Sequence, residues 1–169
     1  PECSQSVIVF VNGYYIPQLS CLTALPGKVV VSSLPEAIQT YGAFLNNHWA
    51  KSLKEETDSF AALNAALHSK GVFLYLPPKS VVEAPIQILH IVDNDEQLQL
   101  LMPRLQVFVG THSDVRLIHT QKNLAAKGYF VNQVTEFVLD EGAHVHYTQT
   151  LCDEHPQAWH LDALRATLK

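Results

Sequence analysis

Hydrophobic positions along this chain change their spacing twice, and each change marks a change of structure. The N-terminal stretch "SVIVFVNGYYIP" sets a β-branched and aromatic run against a second short run across Asn12-Gly13, the strongest local signature of a tight hairpin. "GKVVVSS" predicts another strand from about Lys28. Ser33 then stands three residues before Glu36 with Pro35 between them, a capping box with an early-helix proline that opens a helix through "EAIQTYGAFL". Gly42 weakens that helix without forbidding it. "KSLKEETD" reads as a loop or frayed helix end, and Asp58 as the cap of a second helix. In that helix Phe60, Leu63 and Leu67 fall on one face at i, i+3 and i+7, and Lys70-Gly71 gives the stop. The strand "GVFLYLPP" comes next, ended by Pro77 and Pro78, neither of which can donate to a ladder.

From Ala84 the texture becomes one of strand-like segments and short turns, with no further convincing helix before the last dozen residues. This divides the chain into 1–83, strands and helices leading into a core, and 84–169, the first rungs of that core. At an offset of thirty residues, "LQVFVGTHSDVRLIH" matches "TEFVLDEGAHVHYTQ" in its apolar positions and its turns: Val107 meets Phe137, Val115 meets Val145, Leu117 meets Tyr147. A strand-bearing period of this length fits a solenoid, in which each rung buries its inner face against its neighbours. The inward set is then Leu105, Val107, Val109, Val115 and Leu117, followed by Phe137, Leu139, Ala143, Val145 and Tyr147. Glu136, Asp140, His144 and His146 point outward. An antiparallel sandwich shows the same alternation, and periodicity alone does not separate the two.

Composition narrows the function classes. Of 169 residues only 16% are charged and 47% are apolar, leaving few polar side chains to cover the surface, so some of it is expected to meet another protein. A net charge of −5 and the absence of a Lys/Arg cluster argue against nucleic acid. Apolar runs such as Val72 to Leu76 are far too short to span a membrane, and no signal-peptide pattern opens the sequence, so a cytoplasmic protein is the default. The start on Pro1 points to a processed product or a piece of something longer. Cys3, Cys21 and Cys152 are odd in number and widely spaced, which reads as plain thiols rather than a disulfide framework.

Candidate chemistry gathers in "LDEGAHVHYTQT", where His144, His146 and Thr148 share one strand face and Ala143, Val145 and Tyr147 the more apolar other. Two histidines do not hold a metal by themselves. Cys152, His155 and His160, with Asp153 and Glu154, form a C-x2-H-x4-H run whose spacing matches no zinc pattern, so a solvated loop is preferred. Asp93 and Asp95 mimic part of a calcium loop but lack its glycine and terminal glutamate. Asp140 and Glu141 read as turn solvation rather than as paired carboxylates for glycoside chemistry. With no G-x-S-x-G elbow, P-loop or G-x-G-x-x-G, no catalytic residue and no resident metal are assigned, and the chain is expected not to be an enzyme.

Taken in order, "VIVFVNGYYIPQLS", "FAALNAALHSKGVFLYLPP", "APIQILHIV" and "VNQVTEFVLDEGAHVHYTQTL" resemble the SufB/SufD family of iron–sulfur cluster assembly proteins. The "VNGYYIP" hairpin is more similar to its SufD branch than to SufB. The resemblance implies a right-handed parallel β-helix (solenoid) core, an N-terminal hairpin and two short helices. It implies a scaffold subunit that binds a SufB-like subunit and a SufC-like ATPase, with no bound cofactor and an iron–sulfur cluster present only transiently in the full complex. Family chains are longer, and this one is expected to lack their N-terminal helical region and their later rungs, where the cluster-related residues mainly sit. His144, His146 and Cys152 therefore take no role from the family. A solenoid truncated after Lys169 would leave the edge of its last rung unpaired, which predicts a homo-oligomer or aggregation. The competing reading is a β-helical carbohydrate-active enzyme.

Overall fold

Asn12 and Gly13 take φ of 51° and 82°, the left-handed pair that a two-residue hairpin turn demands, and fold β1 (Val7–Val11) back on β2 (Tyr14–Tyr15). The structure is a computed structural model and describes residues 3–93, 98–153 and 155–169. β3 (Val30–Ser33) begins two residues after the expected Lys28. Its last residue caps α1 (Leu34–Glu55): the Glu36 amide donates to Ser33 Oγ at 3.4 Å, and the Ser33 amide to the Glu36 carboxylate at 3.2 Å. At 22 residues α1 is not short, and it takes in Lys51–Glu55, five of the eight residues of the stretch read as a loop. It bends at Tyr41 (φ −120°, ψ 22°), next to Gly42. Asp58 caps α2 (Ser59–Leu67) by accepting from the Phe60 and Ala61 amides at 2.8 and 3.3 Å.

Among the described residues eight further strands complete the fold. They are β4 (Lys70–Leu76), β5 (Ile86–Val92), β6 (Gln99–Leu101), β7 (Pro103–Val109), β8 (Asp114–Asn123), β9 (Tyr129–Leu139), β10 (His144–Cys152) and β11 (Trp159–Leu168). One sheet has the order β10-β8-β5-β1-β2 and the other β11-β9-β7-β4-β3, with β6 also against β9. Of the pairings between these strands, β1-β2 and β3-β4 are antiparallel and the others parallel, and the chain climbs from sheet to sheet as a parallel β-solenoid of about three turns. The antiparallel sandwich is thereby excluded. The offset of thirty is the physical register: Val107 lies beside Phe137, Val115 beside Val145 and Leu117 beside Tyr147. The last dozen residues contribute β11, a strand with no helix.

Between the sheets Ile8, Phe10, Leu74, Leu76, Val107 and Leu117 are buried in one cluster, each stabilising the fold by roughly 1.5–3 kcal/mol. The ten residues assigned inward all line this interior. The outward set needs one correction. α1 packs over the outer face of the second sheet, Leu34, Ala37 and Leu45 meeting Phe73, Phe108 and Val138, so that face is covered. Glu136 is consequently buried, and its carboxylate takes Arg104 from two sides at 2.8 and 3.3 Å. A buried carboxylate persists as an anion only with such a partner. α2 sits on the same face through Ala61 and Asn64, whose side-chain amide donates to the carbonyls of Pro103 and Asn132.

Candidate functional site

Inward positions along β8 read Val115, Leu117, His119, Gln121, and those on β5 read Ile86, Ile88, His90, so both strands pass from apolar to polar as they cross the interior. On β9 the reverse order, Gln133, Thr135, Phe137, brings its polar end to the same place. The result is a polar column inside one half of the solenoid.

His119 lies at its centre. Its Nδ1 is 2.9 Å from the Tyr147 hydroxyl and 3.3 Å from the Gln133 side-chain amide nitrogen. An amide N–H can only donate, so Nδ1 is the acceptor and the neutral ring carries its proton on Nε2. The same logic holds for His160, whose Nδ1 faces the Gln121 amide nitrogen at 3.1 Å while its Nε2 lies 3.7 Å from the Asp162 carboxylate. Asp162 also accepts from Gln133 at 3.2 Å and from Gln149. Ring centroids step through the column at 5.8 Å from Phe10 to His90, 6.0 Å to His119 and 6.3 Å to Tyr147.

Burial governs the protonation of this column. Desolvation, helped by the neighbouring His119, pushes His90 down to about 3, and desolvation pushes His119 down to about 4. The same loss of water raises the Tyr147 phenol. Asp162 is raised by burial but lowered more by the nearby His160 and by a hydrogen bond from Gln149, and it remains a carboxylate. At neutral pH His90 and His119 are therefore neutral imidazoles, beside a phenol and the Asp162 carboxylate. The column can accept and donate hydrogen bonds. A small cavity of about 10 Å³ beside His90, His119 and Gln133 lies at the lower limit of the room a single water requires.

The residues singled out in the sequence are scattered by the fold. His144 and His146 lie exposed on the outer wall, beside Asp114 and Arg116 of β8. Cys152 ends β10, half-buried, with Asp153 paired to Lys122 and His155 in the following turn. His160 alone of the group enters the column. Among the described residues no three His, Cys, Asp or Glu side chains gather as a metal-binding group. Glu154 and Asp95 lie outside the described residues, and Asp93 is exposed, with its backbone joined to the Asn12 side chain at 2.8 and 3.0 Å. Nor do the outward carboxylates gather as a polysaccharide enzyme requires, since Glu136 is under α1 and Asp140 meets Lys169 at 3.0 Å. No helix among the described residues is long and apolar enough to cross a membrane. His90, His119 and Gln133 were not picked out from the sequence, although their place at inward parity within apolar strands was visible there.

Comparison with known proteins gives two family matches that meet at the start of the rungs. Residues 1–88 match the SufBD protein N-terminal region, and residues 90–169 match the SUF system FeS cluster assembly, SufBD core domain. A Synechocystis iron–sulfur cluster assembly SufBD family protein is 28% identical over 156 residues, 86% of this chain and 34% of its own length. The iron–sulfur cluster assembly protein SufB of Bacillus subtilis is 27% identical over 124 residues, 71% of this chain and 26% of its own. A SufBD family protein of Staphylococcus aureus is 22% identical over 156 residues, covering 88% and 32%. The chain thus spans about a quarter to a third of the length of these relatives.

Proposed function

The chain belongs to the SufBD family of iron–sulfur cluster assembly proteins, and from that premise we propose that it is a scaffold subunit of the SUF machinery, working by binding rather than by turnover. The observation that carries this reading is the coincidence of the core-domain match at residues 90–169 with the stacked rungs β7 to β11. Stacked parallel strands present backbone edges, and among the described residues β10 and β11 each have a strand neighbour on one side only. In this reading the stacked rungs are the body on which a SufB-like subunit docks. A SufC-like ATPase completes the assembly, and the cluster is cargo of the whole complex, held transiently and without a resident cofactor on this chain. The SufD branch is the finer assignment, supported by the "VNGYYIP" hairpin, which Asn12 ties to the end of β5 through both of its hydrogen bonds to Asp93.

The test is co-expression of the tagged chain with SufB-like and SufC-like partners, followed by affinity purification. A stoichiometric complex with the SufB-like subunit is expected, with the ATPase recruited through it. Recovery of the tagged chain alone would remove the scaffold reading.

A further inference from the structure

Two nitrogens inside the polar column have no protein partner. His90 is 6% exposed and His119 2%, and Nε2 of each ring is buried without a hydrogen bond. Native interiors seldom strand polar atoms in this way, because each forfeits its bond to water and gains nothing in exchange. Both rings line the same small cavity, of about 10 Å³, whose apolar walls are Val72, Ile88 and Leu105. Its lining comes from β4, β5, β7, β8 and β9, so the site is built by the interior of these coils and owes nothing to whatever covers their outer faces.

We propose that this cavity is the binding site of one internal water, which accepts from His119 Nε2–H and donates to His90 Nε2. Gln133 sets the positions of the protons. Its amide nitrogen, 3.3 Å from His119 Nδ1, can only donate, which leaves the His119 proton on Nε2. Gln133 also makes a side-chain hydrogen bond to His90 that favours the protonated ring, so there the imidazole is the donor. Because His90 Nε2 has no partner, that donor is Nδ1–H, and Nε2 keeps its lone pair. One N–H and one lone pair thus stand beside the same cavity. Water supplies the matching acceptor and donor. It closes a ring of hydrogen bonds that all point the same way round: Gln133 amide to His119, His119 to water, water to His90, and His90 back to the Gln133 side-chain oxygen. A metal ion does not fit the pattern, since a protonated His119 Nε2 has no lone pair to offer. The volume admits no larger ligand. The ring joins β5, β8 and β9 through side chains, across both sheets.

Water cross-relaxation in solution tests the site. The methyl protons of Val72 and Ile88 border the cavity and do not exchange with solvent, so a cross-peak from them to water reports proximity alone. Both residues are expected to show one, with NOE and ROE of opposite sign, as a long-lived internal water gives. Long-range nitrogen–proton correlation of the imidazoles is expected to find the His119 proton on Nε2 and the His90 proton on Nδ1. Val72→Ile adds one methyl group at the cavity wall and leaves both rings in place. It is expected to abolish the Ile88 cross-peak while His119 keeps its tautomer, which Gln133 still dictates. Absence of the cross-peaks in the wild-type chain, their persistence in Val72→Ile, or a His90 proton found on Nε2 would each overturn the proposal.

Discussion

The Tyr147 hydroxyl stands 2.9 Å from Nδ1 of His119, linking two neighbouring rungs through their side chains rather than through the backbone ladder. Tyr147→Phe removes this donor and keeps the ring packed on Phe137. The expected loss is about 1–2 kcal/mol, because Gln133 still reaches His119 Nδ1 and no buried acceptor is wholly stranded. Urea unfolding of the variant and the parent at neutral pH measures it.

The same column makes stability depend on pH. In the unfolded chain each imidazole takes up its proton near 6.5, while in the fold His90 stays neutral to about 3 and His119 to about 4. Below 6.5 the unfolded chain binds more protons, so stability is full above that value and falls as the pH drops toward 4. At pH 5 the loss is on the order of 2 kcal/mol for each histidine. Denaturant midpoints between pH 7 and pH 5 are expected to fall accordingly, and His90→Gln to remove about half of the dependence.

Gly71 and Gly42 are expected to respond oppositely to alanine. At Gly71 φ is +147°, and a Cβ would lie 1.9 Å from the Arg104 carbonyl oxygen, so Gly71→Ala forces β4 and β7 apart. The expected result is a loss of about 3 kcal/mol or more, or failure to fold. Nothing lies within 4 Å of a Cβ at Gly42, in an exposed part of α1, and Gly42→Ala is expected to stabilise by about 0.5–1 kcal/mol. Thermal melts of the two variants give the comparison.

Beneath the helices, Arg104 is held by Glu136 and by the side-chain oxygen Oδ1 of Asn64 at 3.0 Å. Glu136→Gln leaves a buried guanidinium without its counter-charge, at a cost of about 3–5 kcal/mol. Changing both together, Arg104→Met with Glu136→Leu, is expected to recover most of that. A double-mutant cycle in urea separates the pair from its members.

How much of the fold was legible from the chain depended on whether the cause was local. Asn12-Gly13, the Ser33/Glu36 box and the Asp58 cap each act within four residues, and each formed as expected. The rung register was also legible, since stacking forces Val115 beside Val145 and so imprints itself on the spacing. Glu136 was misplaced because strand alternation gives the side of a sheet and not what covers it; α1, roughly a hundred residues earlier in the chain, makes that side an interior. α2 misleads for a related reason: its small Ala61 and hydrogen-bonding Asn64 allow close approach to β9, and its larger residues are left outside. The polar column was the least legible feature, because His90, His119, Gln133 and Asp162 come from four strands and share no motif.

The two ends of the stack differ in kind. β2 and β3 finish it on one side by running against their neighbours, and β2 has only two residues, so that side offers a short template of the wrong sense for another coil. β10 and β11 run with theirs. The β2/β3 side is thus stoppered, and further coils of this kind can stack only in the direction in which β10 and β11 continue the parallel register.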